Sequence, residues 1–340
     1  MAHPEGDSAW AAVARSGTRT RPQLRAALQH LPVLERWIDG PWTYPAWYAL
    51  NRWRSRAPRT FTDKLRYKLV RDRRDFLYRT ADRVQLRDYV ERQLGQAATP
   101  QLYQVVADPA QLDWNSLPRQ YVCKVAHGWR GMIMVSDHAD AAARLPPPSS
   151  DPGWSRFAVR PDHADPQRME ALLLRWVQRS FGWGRGNYQW GYRMIPRRVV
   201  VEELLRTTDR DAPGEWSCFV FNGRCRILRA RHLLSSGGVM FSRDGAVATF
   251  QYLKDTPLSL DAADGLSRPP LPAEKWVRII EISERLGQDT DFVRVDLYDL
   301  GDRILVGEMT HYPSQGRVIF TPADADAQLG SWWTVPRRYR

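Results

Sequence analysis

Lysine is scarce in this chain of 340 residues, which has it only at Lys64, Lys68, Lys124, Lys254 and Lys275. The formal net charge is nevertheless +12, so arginine carries almost all of the positive charge. Guanidinium groups suit phosphate-bearing partners such as nucleotides, tRNA or an anionic surface. A host whose coding preference favours arginine would produce the same bias. In either case, a lysine that stands beside glycines is a candidate for a specific role.

Cysteine is also rare, and long apolar runs are missing. Cys123, Cys218 and Cys225 are the three cysteines, and no pair has CxxC spacing. This argues against a disulfide framework or a structural zinc site and favours a reducing compartment, so we expect a cytoplasmic protein. No run approaches eighteen apolar residues, so no transmembrane segment is expected. The polar, acidic residues 1–7 do not fit a secretory signal.

The composition and the order of the predicted elements favour an α+β protein. Hydrophobic residues make up 43% and charged residues 26% of the chain, which is typical of a globular fold. Strands that come in hairpins with helices between them, rather than in strict βαβ repeats, favour lobes with antiparallel sheets. The predicted strands are residues 101–108, 120–125, 132–135, 198–205, 219–221, 225–230, 292–298 and 303–308. The predicted helices lie in 62–95, 169–177 and 274–287.

A lysine precedes a glycine-containing turn in residues 122–131, VCKVAHGWRG. Lys124 lies near the end of one predicted strand, and Gly128 and Gly131 lie in the turn that leads to the next. Glycines let backbone N–H groups converge on phosphate oxygens, and the lysine adds a positive charge. The segment is not a Walker loop, because G-x-x-x-x-G-K-[ST] is absent. An ordinary β-hairpin turn is the alternative interpretation.

Two acidic residues end an apolar strand in residues 199–205, VVVEELL. A strand end of this kind can present backbone amide groups to a purine. The carboxylate of Glu202 or Glu203 can then hold an amino group or a ribose hydroxyl. The alternative is a strand end that simply meets solvent.

The most specific pattern is RVDLY at 294–298, followed by a turn and GEMT at 307–310. Arg294 and Asp296 share one face of a strand because they are two residues apart, and Glu308 and Thr310 do the same on the next strand. Pairing the strands would bring together two carboxylates and a hydroxyl, which are oxygen ligands that suit Mg²⁺. Arg294 would neutralise charge on a transferred phosphoryl group. A purely structural Arg–Asp pair is the alternative.

In this order, these segments resemble the ATP-grasp superfamily, and within it the branch similar to the teichuronopeptide-biosynthesis protein TupA. The resemblance extends from about residue 61 to residue 330. The residues that carry it are FTDK at 61–64, ADRVQLRDYV at 81–90, Leu117-Pro118, Lys124 with His127-Gly128, EELL at 202–205, FNG at 221–223, RVDLY at 294–298, GEMTHYP at 307–313 and Leu329-Gly330.

The resemblance implies an α+β ATP-grasp fold in which two lobes enclose ATP. The implied phosphate contacts are Arg83, Lys124, His127, Gly128 and Gly131, and the implied adenine contacts are Glu202, Glu203 and Leu205. The implied ligands of one or two Mg²⁺ ions are Asp296, Glu308 and Thr310, with Arg294 as the catalytic residue beside the γ-phosphate. Two positions depart from the family pattern, because Arg83 and Ser217 stand where the family usually has lysine.

The resemblance and the residues together predict four parts of the chain. Residues 1–60 form a basic, Trp-rich helical arm, and residues 61–119 form an N-terminal subdomain. Residues 120–206 form the central lid, and residues 207–340 form the C-terminal subdomain with the metal site. In the arm, basic and aromatic residues alternate around Trp37, Trp42, Trp47 and Trp53. Such interleaving is typical of nucleic-acid stacking, of membrane-surface binding or of a helix that packs its tryptophans on the protein.

The function that we expect is an ATP- and Mg²⁺-dependent carboxylate–amine ligase that forms an amide or peptide bond through an acyl phosphate and releases ADP and phosphate. The amine would come from an amino acid, a peptide or an amino sugar, and the product would be a peptide-type natural product or a cell-surface polymer. An anionic macromolecule, tRNA or a surface polymer, could bind the arm, whereas DNA is not an expected partner. The alternatives are an ATP-dependent phosphotransferase, an enzyme of surface-glycan assembly, or a non-catalytic anion-binding adaptor.

Overall fold

The computed structural model describes residues 43–181, 188–206, 214–234, 237–252 and 269–339. The chain divides into two compact units. The first consists of residues 1–50 and 184–188, and the second consists of residues 51–183 and 189–340. Within the described ranges, no helix has both the length and the apolar character needed to cross a bilayer.

Little of the first unit is described beyond one end of a helix and Tyr188. The rings of Tyr44 and Trp47 lie against Tyr188, with centroid distances of 5.2 Å and 4.9 Å. Most of the predicted arm, including Trp37 and Trp42, lies outside the described residues. Its role therefore stays a prediction.

The described chain begins with four helices and continues with groups of strands that are separated by one or two helices. The helices are α1 Thr43–Arg54, α2 Phe61–Arg71, α3 Phe76–Ala81, α4 Gln85–Leu94, α5 Pro166–Gln178, α6 Trp190–Arg193, α7 Ala273–Gly287 and α8 Ala325–Ser331. The strands are β1 Leu102–Val106, β2 Tyr121–Val125, β3 Met132–Val135, β4 Arg156–Val159, β5 Val199–Glu203, β6 Gly214–Phe221, β7 Arg224–Leu234, β8 Gly237–Ser242, β9 Gln251–Tyr252, β10 Phe292–Asp299, β11 Ile304–Thr310 and β12 Phe320–Thr321.

The first five strands form sheet A, in the order β1-β5-β2-β3-β4. Its pairs are antiparallel except β3 with β4, which is parallel. One face is apolar and packs against α5 through Leu172, Leu173 and Trp176. Because side chains alternate along a strand, Lys124 and Glu202 project from the opposite face. Sheet A therefore buries one face in its own core and directs its charged residues away from α5.

Sheet B has the order β11-β10-β6-β7-β8, and its pairs are antiparallel. One face is continuously apolar and packs on α7 and α4. The other face is apolar at one end only, where Phe219, Phe221 and Phe292 pack with Phe61 and Trp333. The remaining part of that face carries charged residues, so the sheet positions them beside a rigid aromatic core.

The α+β prediction with antiparallel sheets is confirmed, with the β3–β4 pair as the exception. The hairpin prediction at Asn222-Gly223 is also correct, since both residues have positive φ, 46° and 76°, as a type I′ turn requires. Strand β4 was not predicted. It follows a proline-rich loop, and because it pairs in parallel with β3, no hairpin turn in the sequence indicates it.

The predicted helix start at Thr80-Ala81-Asp82 is wrong, because α3 ends at Ala81 and α4 begins at Gln85. The hydroxyl of Thr80 donates to the carbonyl of Phe76 at 2.6 Å within α3, so it is not available as a cap. Asp82 instead shapes the turn by accepting from the backbone N–H of Val84 at 3.1 Å. The predicted stop is correct, since Gly95 ends α4 with φ 71°.

Candidate active site

The strongest candidate site lies on β10 and β11, where four predicted residues face one another in two cross-strand pairs. Arg294 stands opposite Thr310, and Asp296 stands opposite Glu308. The guanidinium of Arg294 donates to Asp296 Oδ2 from Nε at 3.1 Å and from Nη2 at 2.5 Å, and to Thr310 Oγ1 at 3.1 Å. The hydroxyl of Thr310 donates to Glu308 Oε1 at 2.8 Å. The structure thus brings the predicted metal ligands and Arg294 into one bonded group.

Asp296 has an unused oxygen that fits a cation. Its Oδ1 is buried and has no hydrogen-bond partner among the described residues. A buried carboxylate oxygen without a partner is unfavourable unless it binds something. The described residues contain no cluster of three or more His, Cys, Asp and Glu side chains that could hold a metal. Two carboxylates that leave positions for water and phosphate oxygens are the donor set that Mg²⁺ takes in nucleotide sites.

The charges around Glu308 hold it in the ionised state that a metal ligand needs. Burial alone would raise its pKa, but the guanidinium groups of Arg83 and Arg294 and the hydrogen bond from Thr310 lower it below its usual value. Arg83 lies on the turn between α3 and α4, far from Glu308 in sequence. The charge of Arg83 therefore acts on a candidate metal ligand, while its place in the site and its contact with phosphate stay predictions.

A row of residues crosses sheet B beside this group. Ser217 on β6 stands opposite Asp296, and Arg229 on β7 stands opposite Ser217. The hydroxyl of Ser217 is buried and has no partner among the described residues. Position 217, where the family usually has lysine, therefore carries a small hydroxyl beside Asp296 on the sheet. Basic side chains on the same face come from β7.

On sheet A, Lys124 and Glu202 form an ion pair. Lys124 Nζ bonds Glu202 Oε1, and Arg87 Nη2 on α4 bonds Glu202 Oε2 at 2.7 Å. Burial lowers the pKa of Lys124, an effect that the charge of Glu202 opposes and that Arg83 and Arg87 reinforce. The predicted phosphate-binding lysine and one predicted adenine contact are therefore direct neighbours in the structure.

The turn between β2 and β3 is fixed by aromatic packing. A Cβ at Gly128 would lie 2.3 Å from the ring of Trp154, and a Cβ at Gly131 would lie 2.9 Å from the same ring. His127 is buried, and because a carbonyl only accepts, its Nε2–H donates to the carbonyl of Arg179 at 3.0 Å. The imidazole thus anchors the turn. A contact from His127 itself to phosphate would therefore have to come from its backbone.

Two residues connect the turn and sheet A with sheet B. Arg83 Nη2 donates to the carbonyl of Gly128 at 3.4 Å and acts electrostatically on Glu308. Tyr298 on β10 lies over Gly307, where a Cβ would be 2.4 Å from its ring. Burial raises the pKa of Tyr298, and the charges of Glu215, Asp296, Glu308 and Glu202 add to this effect. Carboxylates of both sheets therefore lie near one tyrosine.

The other two predicted adenine contacts lie at the end of β5. Glu203 accepts from the backbone N–H of Gln101 at 3.0 Å and pairs with Arg303. Leu205 lies just beyond the strand and is half-buried. No described contact distinguishes a nucleotide role for either residue, so both stay predictions.

A cavity of about 560 Å³ lies among other residues, including Arg74, Asp291 and Tyr339. None of its lining residues is a predicted ATP or metal contact. Several of its polar groups are already bonded, since Tyr339 donates to Asp291 at 2.8 Å and Arg74 bonds Asp72, behind the lining, at 2.8 Å. The chemistry of the side chains, rather than this cavity, therefore locates the candidate site.

Sequence reasoning missed several residues of the site. Arg87 lies in the 81–90 segment but received no role, because its partner Glu202 is 115 residues away. Trp154 carried no signal and Tyr298 belonged to the RVDLY segment without a role of its own, since an aromatic residue in a loop or strand is most often part of a core. Their contacts with Gly128 and Gly307 depend on tertiary packing.

Structural comparison finds solved structures that are similar to part of this chain. D-alanine–D-alanine ligase from Bacillus anthracis, complexed with ATP, is 12% identical over 69% of this chain and 54% of that chain, with a TM-score of 0.36. The ATP-grasp ligase PsnB, complexed with a phosphomimetic variant of its minimal precursor, Mg and ADP, is 10% identical over 74% and 57%, with a TM-score of 0.37. N5-carboxyaminoimidazole synthetase from Staphylococcus aureus, complexed with ADP, is 11% identical over 76% and 53%, with a TM-score of 0.35.

This chain thus spans between 53% and 57% of the length of these three structures. At such TM-scores, none of the similarities fixes the position of an individual residue. A comparison with curated proteins finds no match.

A family model matches the part of the chain that contains the β10–β11 group. Residues 274–334 match the TupA-like ATP-grasp model. Over these residues, the match confirms the resemblance to the TupA-like branch of the ATP-grasp superfamily.

Proposed function

We propose that the chain is an ATP-dependent ligase that joins a carboxylate to an amine. The observation that supports this most directly is the Asp296–Glu308 pair with Arg294 beside it, inside the segment that matches the TupA-like ATP-grasp model. The buried, unpartnered Oδ1 of Asp296 is the feature that a purely structural ion pair does not explain.

The residues divide into two groups in this proposal. Asp296 and Glu308 would hold Mg²⁺, with the Thr310 hydroxyl as a further oxygen, and the bound ion would supply positive charge at the phosphate groups of ATP. Arg294 adds a fixed cation beside them. Lys124 and the turn from His127 to Gly131 would contact the phosphates, and the end of β5 at Glu202, Glu203 and Leu205 would contact the adenine.

The reaction would take place in two steps. The substrate carboxylate attacks the γ-phosphorus of ATP, so that an acyl phosphate forms and ADP leaves. The amine then attacks the acyl carbon and loses a proton, and phosphate leaves. The chain's own contribution is positioning and charge neutralisation, since the acyl phosphate already carries a good leaving group.

The test is ADP and phosphate release by the full-length chain with ATP and Mg²⁺, against a panel of acids combined with amino acids, small peptides and amino sugars. We expect turnover only when an acid and an amine are both present, and an amide in the product by mass analysis. A stable phosphorylated product would instead identify a phosphotransferase. Binding of ATP without any product across the panel would favour an adaptor.

The proposed anionic partner requires a separate test, because most of the arm lies outside the described residues. Full-length protein and a variant that lacks residues 1–42 would be compared for binding to tRNA and to anionic vesicles at two salt concentrations. Binding that falls steeply with salt and is lost on deletion would support a charged macromolecular partner. Equal, negligible binding by both would leave packing as the role of the arm.

A further inference from the structure

Glu202 stands between two cations that come from different parts of the chain. Its side chain is 7% exposed, and the side chains of Lys124 and Arg87 are 13% and 15% exposed. Each carboxylate oxygen has its own cation, because Lys124 bonds Oε1 and Arg87 bonds Oε2. The group is therefore a nearly buried triad with one negative and two positive charges.

The two cations differ in how they are held. Arg87 is anchored, since its Nη1 donates to Thr99 Oγ1 at 3.1 Å and also bonds the carbonyl of Pro100. Lys124 has only Glu202 among its described hydrogen-bond partners. An ammonium on a flexible stem can change partner by rotation about single bonds, whereas a guanidinium held at three oxygens cannot do so without breaking its other bonds.

This difference matters if Lys124 binds a phosphate, because Lys124 must then share or leave Glu202. A nearly buried carboxylate that loses its only cation is strongly destabilised, because its charge is then buried without compensation. That penalty would be subtracted from the binding energy of the nucleotide. With Arg87 in place, Glu202 keeps one cation whichever way Lys124 turns. Arg87 also competes with Lys124 for the same carboxylate, which weakens the hold of Glu202 on the lysine.

We propose that Arg87 is a positioning residue that keeps Glu202 paired and so releases Lys124 to bind a phosphate group of ATP. The proposal rests on the proposed function, since it requires Lys124 to contact phosphate. Arg87 itself acts through Glu202 and does not have to touch the nucleotide.

A double-mutant cycle tests this, with AMP-PNP and Mg²⁺ as the probe in calorimetric titrations of full-length protein. Arg87→Met should weaken binding about tenfold or more, because Glu202 then holds Lys124 alone. In the Glu202→Gln background, where no buried carboxylate needs a cation, the same Arg87→Met change should have little effect. Arg87→Lys, which retains the charge, should restore part of the affinity.

An ion pair outside the candidate site provides a matched control. Arg243 pairs with Glu284, so Arg243→Met breaks an Arg–Glu bond without touching the triad. We expect this variant to bind AMP-PNP like the wild type. If Arg87→Met does not fold, Arg87→Gln, which keeps a donor for the Pro100 carbonyl, takes its place in the cycle.

An equal loss of affinity from Arg87→Met in the wild-type and Glu202→Gln backgrounds would overturn the proposal, because the role would then be loop anchoring through Thr99 and Pro100. Normal affinity of Arg87→Met would overturn it as well, provided that Lys124→Ala binds weakly. Normal affinity of Lys124→Ala would overturn the phosphate role of that lysine, and with it the inference about Arg87. Failure of the inference about Arg87 is thus distinguishable from failure of the phosphate role of Lys124.

Discussion

Asp296 and Glu308 occupy directly opposed positions on the adjacent antiparallel strands β10 and β11. Two ionised carboxylates at such positions repel each other unless cations lie nearby. Arg294 bonds one of them, and both Arg83 and Arg294 lower the pKa of the other. The two arginines offset the repulsion, and the buried, unpartnered Oδ1 of Asp296 leaves a position at which a further cation would bind. In the proposed ligase, this pair would bind the metal ion that accompanies the nucleotide.

Removing either carboxylate should abolish turnover. We expect Asp296→Asn and Glu308→Gln to lower ADP release by about 10²-fold or more, because a ligand or electrostatic stabiliser of phosphoryl transfer is lost. The matched control is Asp299→Asn on the same strand, whose carboxylate bonds Lys275 at 3.0 Å. ADP release and melting temperature would be measured for all three variants. Near-normal release by the first two, with Mg²⁺ still required, would contradict the metal assignment.

Lys124→Ala should weaken nucleotide binding more than substitution of another partly buried lysine. The physical reason is that Lys124 Nζ lies on the charged face of sheet A, where it is the cation able to reorient. Lys275→Ala is the control, since Lys275 pairs with Asp299 and is 23% exposed. Calorimetric titration with AMP-PNP gives the dissociation constants. Equal affinities for the two variants would indicate that the turn after Lys124 is an ordinary β-hairpin turn with no role in phosphate binding.

The β10–β11 group could be predicted from the sequence because its geometry is local. Residues two apart share a strand face, and a short turn favours pairing of the two strands, so the sequence predicts that Arg294, Asp296, Glu308 and Thr310 lie near one another. The pairing register was not predictable, because a bulge lies between Asp296 and Leu297. The ring of Tyr298 lies on the Cα of Gly307 next to this bulge, and no local pattern signals such a contact.

The triad on sheet A could not be predicted for a different reason. Arg87, Lys124 and Glu202 come from a helix and from two strands that are far apart in sequence. Sequence patterns indicate that each is polar within an amphipathic or apolar element. They do not indicate which charged residues meet once α4 packs beside sheet A. For the same reason, the contact between Gly128 and Trp154 could not be predicted from the sequence.

Gly128→Ala should destabilise the turn between β2 and β3. Its Cβ would lie 2.3 Å and 2.6 Å from two ring atoms of Trp154 and 2.9 Å from Val125. Overpacking of this kind typically lowers the free energy of unfolding by about 1–3 kcal/mol. Gly191→Ala is the control, because its nearest neighbours are 3.9 Å away. Urea unfolding measures the effect, and Trp154→Leu should relieve part of it in a double variant. A Gly128→Ala protein as stable as the control would show that the ring moves freely.

The last prediction concerns Asp72 and its pH dependence. Lys68 and Asp72 form a fully buried ion pair at 2.9 Å, and Arg74 bonds the same carboxylate. Burial alone would raise the pKa of Asp72, but the hydrogen bond from Arg74 and the charge of Lys68 hold it below 3.8. A depressed pKa means that the unfolded chain takes up the proton first as the pH falls. The stabilisation by Asp72 is therefore present above about pH 4 and is lost below it.

Asp72→Asn mimics the protonated carboxyl group, so it should destabilise the protein at neutral pH. The difference in the free energy of unfolding between wild type and variant should become smaller in acid. Lys68 would keep Asp291, its other buried carboxylate at 2.5 Å, so we expect a loss of about 3 kcal/mol, the lower end for a broken buried pair. Asp63→Asn is the control, since Asp63 is 34% exposed and pairs with Arg66 at 3.4 Å. Urea unfolding at pH 7 and at about pH 3 gives the two differences. A gap between wild type and Asp72→Asn that stays constant down to acid pH would mean that the carboxylate charge contributes nothing, and that the variant acts only through its altered hydrogen bonds.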